Sequence, residues 1–208
     1  MRKGCCIVET RPIANLVEII VDYHLKYIPK DWGITLYLSL DNVHLVKDVD
    51  FGRKTNIVMI PPGRFDESTY NVLLKSRQFW YSLPYDKVLI FQSDSRLLRE
   101  GIEDYLEYDY IGAAWKFQEH GGNGGLSLRD VNVMKEIVET FKFSTRNEDV
   151  LFCNIMRNYK VGNLASREKC MEFSVETIFG LGSLGVHAID KWLSKEECKQ
   201  ILEQYGRS

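Results

Sequence analysis

The chain has 208 residues, of which 45% are hydrophobic and 27% are charged, and its formal net charge is -2. This length and composition fit one folded domain with a buried core and exclude a mostly disordered chain. The small net charge provides no general attraction to nucleic acid or to an anionic membrane, so we expect no nucleic-acid partner.

No segment of the sequence has the length and apolarity of a membrane span, and the N-terminal segment is too polar for a signal peptide. The five cysteines form no CxxC pair and no metal-ligand spacing, which favours reduced thiols. We therefore expect a cytoplasmic protein without an integral membrane segment, although a chain from which an anchor had been removed would have the same composition.

Strand-like and helix-like segments alternate along the chain. Apolar runs and alternating residues predict strands at 5–8, 34–40, 56–60, 87–91, 110–115 and 126–128. Helical spacing predicts helices at 15–28, 68–83 and 131–141, one that begins near Asn147, and a C-terminal helix with a capping box of Ser194 and Glu197. This order predicts an α/β fold in which a mostly parallel central sheet is flanked by helices. No repeat or linker interrupts it, so we expect residues 1–208 to form a single domain.

The most informative segment is the apolar strand that ends abruptly in the polar residues Gln92, Ser93 and Asp94. In open α/β sheets, ligands bind at the carboxyl ends of the strands. A carboxylate at such a position can bind Mg²⁺ or Mn²⁺, which prefer oxygen ligands and bridge diphosphate oxygens. Asp94 is therefore a candidate metal ligand, and the alternative is that it caps the next turn.

Four glycines surround one asparagine in the segment Gly121, Gly122, Asn123, Gly124 and Gly125. Because glycine lets the backbone approach a bulky polar ligand closely, this segment is a candidate binding turn. It is not a phosphate-binding P-loop, since the Lys-Ser/Thr ending of that motif is absent. The alternative is a turn without a ligand.

Glu148 and Asp149 stand at a predicted helix start, where capping and the helix dipole favour acidic residues in any case. The functional interpretation is that one of them is a general base for a sugar hydroxyl. His187, near the C-terminus, is the histidine whose setting best suits a metal ligand beside a carboxylate, and a structural histidine is the alternative.

Taken together, several segments resemble a family of glycosyltransferase-like proteins that is classed as a domain of unknown function and occurs in bacteria, fungi, algae and large DNA viruses. The matching segments follow the order of the family and span most of the chain: 8–12, 79–80, 87–95, 108–115, 122–129, 148–150, 173–176 and 185–187. The resemblance implies a GT-A-like (Rossmann-like) domain, in which a DxD-type motif at a strand end holds a divalent cation against the donor diphosphate.

By this resemblance, Gln92-Ser93-Asp94 takes the place of the DxD motif, so that Gln92 and Ser93 lie beside the donor and Asp94 is the main metal ligand. His187 resembles the late histidine that completes the metal site in several GT-A enzymes. The implied cofactor is Mn²⁺ or Mg²⁺.

The same resemblance puts Thr10 and Arg11 near the nucleotide, and Asn123, Gly124 and Gly125 near the donor sugar and the acceptor. The resulting hypothesis is a metal-assisted glycosyltransferase that uses a UDP- or GDP-sugar and a glycan, glycolipid or protein-linked acceptor.

For an inverting enzyme Asp149 is the preferred base and Glu148 the second candidate, whereas a retaining enzyme needs no base. Two other classes of function stay open. One is a nucleotidyltransferase or nucleotide-sugar hydrolase on a similar sheet, and the other is a non-catalytic glycan- or nucleotide-binding domain.

Overall fold

Nine strands run through residues 1–61, 63–142 and 147–205, the parts of the chain that this computed structural model describes. In chain order they are β1 (Lys3–Val8), β2 (Gly33–Leu38), β3 (Thr55–Met59), β4 (Lys87–Phe91), β5 (Ser95–Leu97), β6 (Tyr110–Ala113), β7 (Asn123–Asp130), β8 (Ser174–Val175) and β9 (Gly185–His187). They form a six-stranded sheet in the order β3-β2-β1-β4-β7-β6 and a three-stranded sheet in the order β5-β9-β8.

The large sheet is mostly parallel, as the sequence predicts. Neighbours among β3, β2, β1 and β4 run parallel, whereas β7 runs antiparallel to both β4 and β6. Eight helices accompany the strands in the described ranges: α1 (Leu16–Val21), α2 (Glu67–Leu74), α3 (Arg77–Ser82), α4 (Val131–Thr140), α5 (Glu148–Tyr159), α6 (Arg167–Phe173), α7 (Ile189–Trp192) and α8 (Lys195–Glu203).

Alternate residues of the central strands pack against different helices. In β1, Cys5 and Ile7 belong to a hydrophobic cluster with residues of α1 and α6, whereas Cys6 and Val8 belong to a cluster with residues of α2, α3, α4 and α5. Both faces of the sheet are therefore covered by helices. Because both faces of the sheet are buried, the sequences of the central strands are nearly continuous runs of apolar residues.

Two predicted helices are divided in the structure. The helix predicted at 15–28 consists of α1 and a separate 3₁₀ turn at Leu25–Tyr27. The buried His24 donates from Nδ1 to the carbonyl of Ile19 (2.8 Å), so a side chain occupies a backbone acceptor in the last turn of α1. The helix predicted at 68–83 consists of α2 and α3. Ser76 has extended backbone angles there, and its Oγ accepts the N–H of Phe79 (3.1 Å) as the N-cap of a new helix.

The strand predicted at 126–128 is longer in the structure. Because β7 begins at Asn123, most of the glycine-rich segment is strand and not turn. The three-stranded sheet was not predicted, since strands of two or three residues carry no recognisable alternation. The C-terminal capping box is confirmed: Oγ of Ser194 accepts the N–H of Glu197 (3.3 Å), and Oε2 of Glu197 accepts the N–H of Ser194 (2.8 Å).

None of the helices in the described part of the chain combines the length and the apolarity needed to cross a bilayer.

A buried histidine lies beneath the end of β4. The ring of His24 stacks on Phe91 at a centroid distance of 4.0 Å, and its Nε2 lies 3.0 Å from Oγ of Ser95. Burial disfavours the charged imidazolium and lowers the pKa of His24 to about 3.

We predict that His24 makes the fold less stable as the pH falls from 6.5 toward about 3. Since its pKa is lower in the folded than in the unfolded state, the unfolded chain binds the proton first. Each pH unit in this window therefore removes about 1.4 kcal/mol of unfolding free energy. Urea unfolding measures the unfolding free energy at pH 7 and at pH 5. Between these two pH values, the wild type should lose about 2 kcal/mol more unfolding free energy than His24→Gln. An equal loss in both proteins would contradict the assignment.

Candidate active site

A cavity of about 500 Å³ lies at the carboxyl ends of β1 and β4. Because β7 is antiparallel to β4, its first residues lie at the same end, and the N–H of Gln92 donates to the carbonyl of Gly125 (2.8 Å). The start of α5 and the segment from β9 to α7 complete the wall. All eleven residues to which the sequence analysis assigned a donor, cation or base role line this cavity: Thr10, Arg11, Gln92, Ser93, Asp94, Asn123, Gly124, Gly125, Glu148, Asp149 and His187. Gly121 and Gly122, the first residues of the candidate binding turn, are not among the lining residues.

Arg11 bridges the loops that follow β1 and β4. Its Nε and Nη2 donate to the two carboxylate oxygens of the buried Glu9 (2.8 and 2.7 Å), and Nη2 also donates to Oγ of Ser93 (2.9 Å). Burial would raise the pKa of Glu9, but the hydrogen bonds and charge of Arg11 hold the pKa below its usual value. Because 68% of the Arg11 side chain is exposed, an oriented positive charge is available in the cavity.

Two residues that follow β2 hydrogen-bond to the backbone of the loop after β1. The buried side chain of Asn42 donates to the carbonyls of Glu9 (2.8 Å) and Arg11 (3.0 Å), and Oγ of Ser39 donates to the carbonyl of Thr10 (2.7 Å). No sequence pattern pointed to Asn42, because its partners lie about thirty residues earlier and are backbone atoms.

His187 reaches the end of β4 through the three-stranded sheet. β9 pairs with β5 in a register that puts His187 opposite Ser95, next to Asp94. β8 runs parallel to β9 on its other side, and Glu176 follows β8 directly. The imidazole therefore lies between two carboxylates, with Nε2 at 3.2 Å from Oδ1 of Asp94 and Nδ1 at 3.3 Å from Oε1 of Glu176.

Asp94 has a second cationic neighbour, since Nζ of Lys191 donates to its Oδ2 (2.8 Å). Burial opposes ionisation of Asp94, but the hydrogen bonds and charges of His187 and Lys191 keep its pKa well below the usual value. For His187, burial lowers the pKa, yet the hydrogen bonds and charges of Asp94 and Glu176 raise it to about 9. The Asp94 carboxylate therefore pairs with two basic side chains.

Donor atoms for a divalent cation surround Nε2 of His187. Oδ1 of Asp94 lies 3.2 Å and Oε1 of Gln92 lies 3.1 Å from this nitrogen. Such separations match neighbouring ligands at about 2.1 Å from one ion. In the ranges that the structure describes, no three His, Cys, Asp or Glu side chains are grouped so that they could hold a metal ion. One carboxylate, one imidazole and one amide suit a cation when a ligand such as a diphosphate supplies further oxygens.

Glu148 and Asp149 both begin α5, but their surroundings differ. The two oxygens of Glu148 accept hydrogen bonds from the guanidinium of Arg129 (2.6 and 2.9 Å), and both of these side chains are buried. The N–H of Glu148 donates to Oδ1 of Asn71 (2.6 Å), whereas Asn147 makes no side-chain capping bond. Both oxygens of Glu148 are thus engaged by a buried cation, which is not the case for Asp149.

Asp149 is half-buried at the cavity wall. Its Oδ2 accepts the N–H of Gly124 (3.0 Å), and its Oδ1 accepts the N–H of Val150 (2.7 Å). Burial and the charge of Glu148 raise the pKa of Asp149 to about 6, although the two hydrogen bonds lower it. A carboxylate with this pKa is mostly ionised at pH 7 and is a stronger base than an ordinary aspartate.

Gly124 and Gly125 are explained by contacts within the protein. A Cβ atom on Gly124 would collide with the Arg129–Glu148 pair, and one on Gly125 would collide with the ring of His187. The interpretation that these glycines make room for a ligand is therefore not needed to explain them. Their backbone still lines the cavity, beside the groups that exclude a side chain.

Other wall residues had no role assigned from sequence: Phe65, Tyr70 and Asn71 around the start of α2, and Lys191 and Trp192 in α7. Oη of Tyr70 is buried and has no hydrogen-bond partner among the described residues. Trp192 is 55% exposed. These residues reach the cavity through tertiary packing, so their local sequence carries no signal.

Solved structures of glycosyltransferases share this fold. The apo-form glycosyltransferase GlyE of Streptococcus pneumoniae TIGR4 aligns with a TM-score of 0.58 and 11% identity, over 100% of this chain and 61% of that chain. TarS 1-349 of S. aureus, solved in complex with UDP-GlcNAc, aligns with a TM-score of 0.53 and 15% identity, over 79% of this chain and 55% of that chain. This chain thus spans little more than half of these proteins. The predicted GT-A-like fold is confirmed.

The chain belongs to the family described as Protein of unknown function (DUF5672), whose profile matches residues 54–187. The matched region begins at β3 and ends at His187, so it contains Asp94, Glu148 and Asp149. The resemblance to a family of unknown function is confirmed. No curated protein matches the chain.

We predict that Arg129→Met destabilises the protein by about 3–5 kcal/mol, because it leaves the buried carboxylate of Glu148 without a counter-ion. The matched control is Arg77→Met, which removes an exposed pair with Glu139 and should change the stability much less, because solvent screens that pair. Urea denaturation at pH 7 measures both values. Equal losses in the two variants would show that the buried pair does not stabilise the site.

Proposed function

We propose that this protein is a glycosyltransferase that moves a sugar from a nucleoside-diphosphate sugar to a hydroxyl of a glycan, glycolipid or protein-linked acceptor, assisted by a divalent cation. One observation carries the proposal: the ionised Asp94 with His187, the cation Arg11 and the half-buried Asp149 line one cavity. The shared glycosyltransferase fold supports it. The UDP-GlcNAc complex of TarS supports a UDP-sugar as donor, with a GDP-sugar as the other candidate.

Positive side chains in the cavity suit the donor diphosphate. Arg11 and Lys191 are each held by a carboxylate, and their side chains are 68% and 60% exposed. Negative charge grows on the leaving nucleoside diphosphate as its bond to the anomeric carbon breaks. Cations that are already oriented stabilise this charge without a reorganisation cost at the moment of reaction. Thr10 and Ser93, which flank Arg11, would contact the nucleotide.

Asp94 and His187, together with Oε1 of Gln92, would hold Mn²⁺ or Mg²⁺. When bound, such a cation acts as a Lewis acid that neutralises charge on the diphosphate oxygens. The backbone of Asn123, Gly124 and Gly125 would lie beside the donor sugar, since these residues line the same cavity.

Asp149 is the proposed base of an inverting transfer. The acceptor oxygen forms a bond to the anomeric carbon, the bond from that carbon to the diphosphate breaks, and the hydroxyl proton passes to the Asp149 carboxylate. Such a base contributes about 10²–10⁴-fold to the rate. Glu148 holds Arg129 and does not take part in this step.

Incubation with UDP- and GDP-sugars and Mn²⁺, with and without glycan acceptors, tests the proposal by the release of nucleoside diphosphate. A glycosyltransferase releases it much faster when an acceptor is present. Equal release without an acceptor would identify a nucleotide-sugar hydrolase. Formation of a nucleoside triphosphate and a sugar 1-phosphate when pyrophosphate is added would identify a nucleotidyltransferase. Binding without any turnover would identify a non-catalytic binding domain.

Asp94→Ala should abolish the metal-dependent part of nucleoside-diphosphate binding, because Asp94 supplies the ionised oxygen of the proposed cation site. Calorimetry with UDP and GDP, in Mn²⁺ and in EDTA, measures this part. Asp48→Ala is the control, since it removes the same charge from a side chain that is 88% exposed. If Asp94→Ala binds as tightly as the control in Mn²⁺, the assignment of Asp94 is wrong.

Asp149→Asn should lower turnover by at least about 100-fold with donor affinity nearly unchanged, because the amide keeps the size of the side chain and removes the basic oxygen. In the wild type, kcat/KM should fall as the pH decreases through about 6, where Asp149 becomes protonated. Glu148→Gln should lower the free energy of unfolding, because it weakens the buried pair with Arg129. If both amide variants keep full transfer activity, a retaining mechanism or a base elsewhere replaces this assignment.

A further inference from the structure

Glu176 is a buried carboxylate in the cavity wall that the proposed reaction has not used. The residue is 5% exposed, and its Oε2 has no hydrogen-bond partner in the described part of the chain. Burying a carboxylate whose oxygens are incompletely hydrogen-bonded is unfavourable for folding. Oε1 is paired with His187, but the buried Oε2 is left without a partner, so the ion pair alone does not account for this carboxylate.

The backbone on both sides of Glu176 is anchored. Val175 pairs with Val186 in the parallel ladder of β8 and β9. Oγ1 of Thr177 donates to the carbonyl of Ala114 (3.2 Å) and accepts the N–H of Lys116 (3.0 Å). The Glu176 side chain is thus held at a defined place beside β9.

From this place Glu176 faces the ring nitrogen of His187 that points away from Asp94. Its Oε1 lies 3.3 Å from Nδ1 as an ion pair, since Nδ1 makes no aligned hydrogen bond within the described ranges, while Nε2 faces Oδ1 of Asp94 and Oε1 of Gln92. A histidine that binds a metal through one nitrogen usually donates the N–H of the other to a carboxylate, which sets the tautomer and the orientation of the ring.

We propose that Glu176 is the positioning residue of the cation site: its carboxylate attracts the Nδ1–H of His187 and so keeps Nε2 directed toward the space shared with Asp94 and Gln92, where a cation would replace the Nε2 proton. The inference rests on the proposed function, because it assigns Glu176 to the cation site of that function. It adds a residue that acts through His187 and does not touch the donor.

The test compares the Mn²⁺ affinity of the wild type, Glu176→Gln and Glu172→Gln in the presence of UDP. The electron paramagnetic resonance signal of free Mn²⁺ measures this affinity. Glu172 is a matched control, because it is 52% exposed and pairs with Lys169 at the surface. We expect Glu176→Gln to weaken Mn²⁺ binding by about 10- to 100-fold, while UDP affinity in EDTA stays unchanged. The control should bind Mn²⁺ as the wild type does.

A double-mutant cycle separates positioning from a merely structural role. In a His187→Ala background, Glu176→Gln should produce no further loss of Mn²⁺ affinity, because its effect passes through the imidazole. Wild-type Mn²⁺ affinity in Glu176→Gln would overturn the inference and leave the proposed function standing. A wild type that binds no Mn²⁺ with UDP would instead overturn the metal-assisted proposal itself, and this inference with it.

If Glu176→Gln does not fold, Glu176→Asp replaces it. This variant keeps the negative charge, but its side chain is one methylene group shorter, so the carboxylate lies farther from His187. Positioning predicts weaker Mn²⁺ binding with unchanged UDP affinity in EDTA, and an unchanged Mn²⁺ affinity overturns the inference.

Discussion

Arg129 of β7 and Glu148 of α5 are both removed from solvent and are joined by two hydrogen bonds between their charged groups. Desolvating two charges is unfavourable unless the geometry is good and the remaining donors are satisfied. Here Nε of Arg129 donates to Oγ of Ser127 (2.9 Å), and its guanidinium lies 4.7 Å from the ring centroid of Tyr110. The pair holds the start of α5 against the sheet and so fixes the position of Asp149, whose pKa is raised first by burial and then by the charge of Glu148.

The three-stranded sheet contributes to the site through strands that are too short to be stable alone. β5, β8 and β9 have two or three residues each. Hydrophobic packing holds them together, since Val175, Val186 and Ile189 form a cluster with Ile201 of α8. The closing helix therefore supports the sheet that brings Glu176 and His187 to Asp94. Three side chains that are far apart in the sequence become neighbours only through this packing.

Much of the fold was predictable because its signals are local. The apolar runs of the central strands and the capping box of α8 involve residues close to one another in sequence, and the structure confirms both. The division of the two long predicted helices was not predictable. It follows from His24 and Ser76, whose hydrogen bonds end or begin a helix where the apolar spacing continues.

The sequence by itself determined part of the cavity lining, because the carboxyl ends of parallel strands meet at one edge of a sheet and the family segments mark the same positions. Only the tertiary structure decided how these residues differ. It pairs both oxygens of Glu148 with Arg129, leaves Asp149 half-buried, and puts His187 between Asp94 and Glu176. It also shows that Gly124 and Gly125 are required by neighbouring side chains. Such distinctions depend on contacts between distant parts of the chain, which no local pattern records.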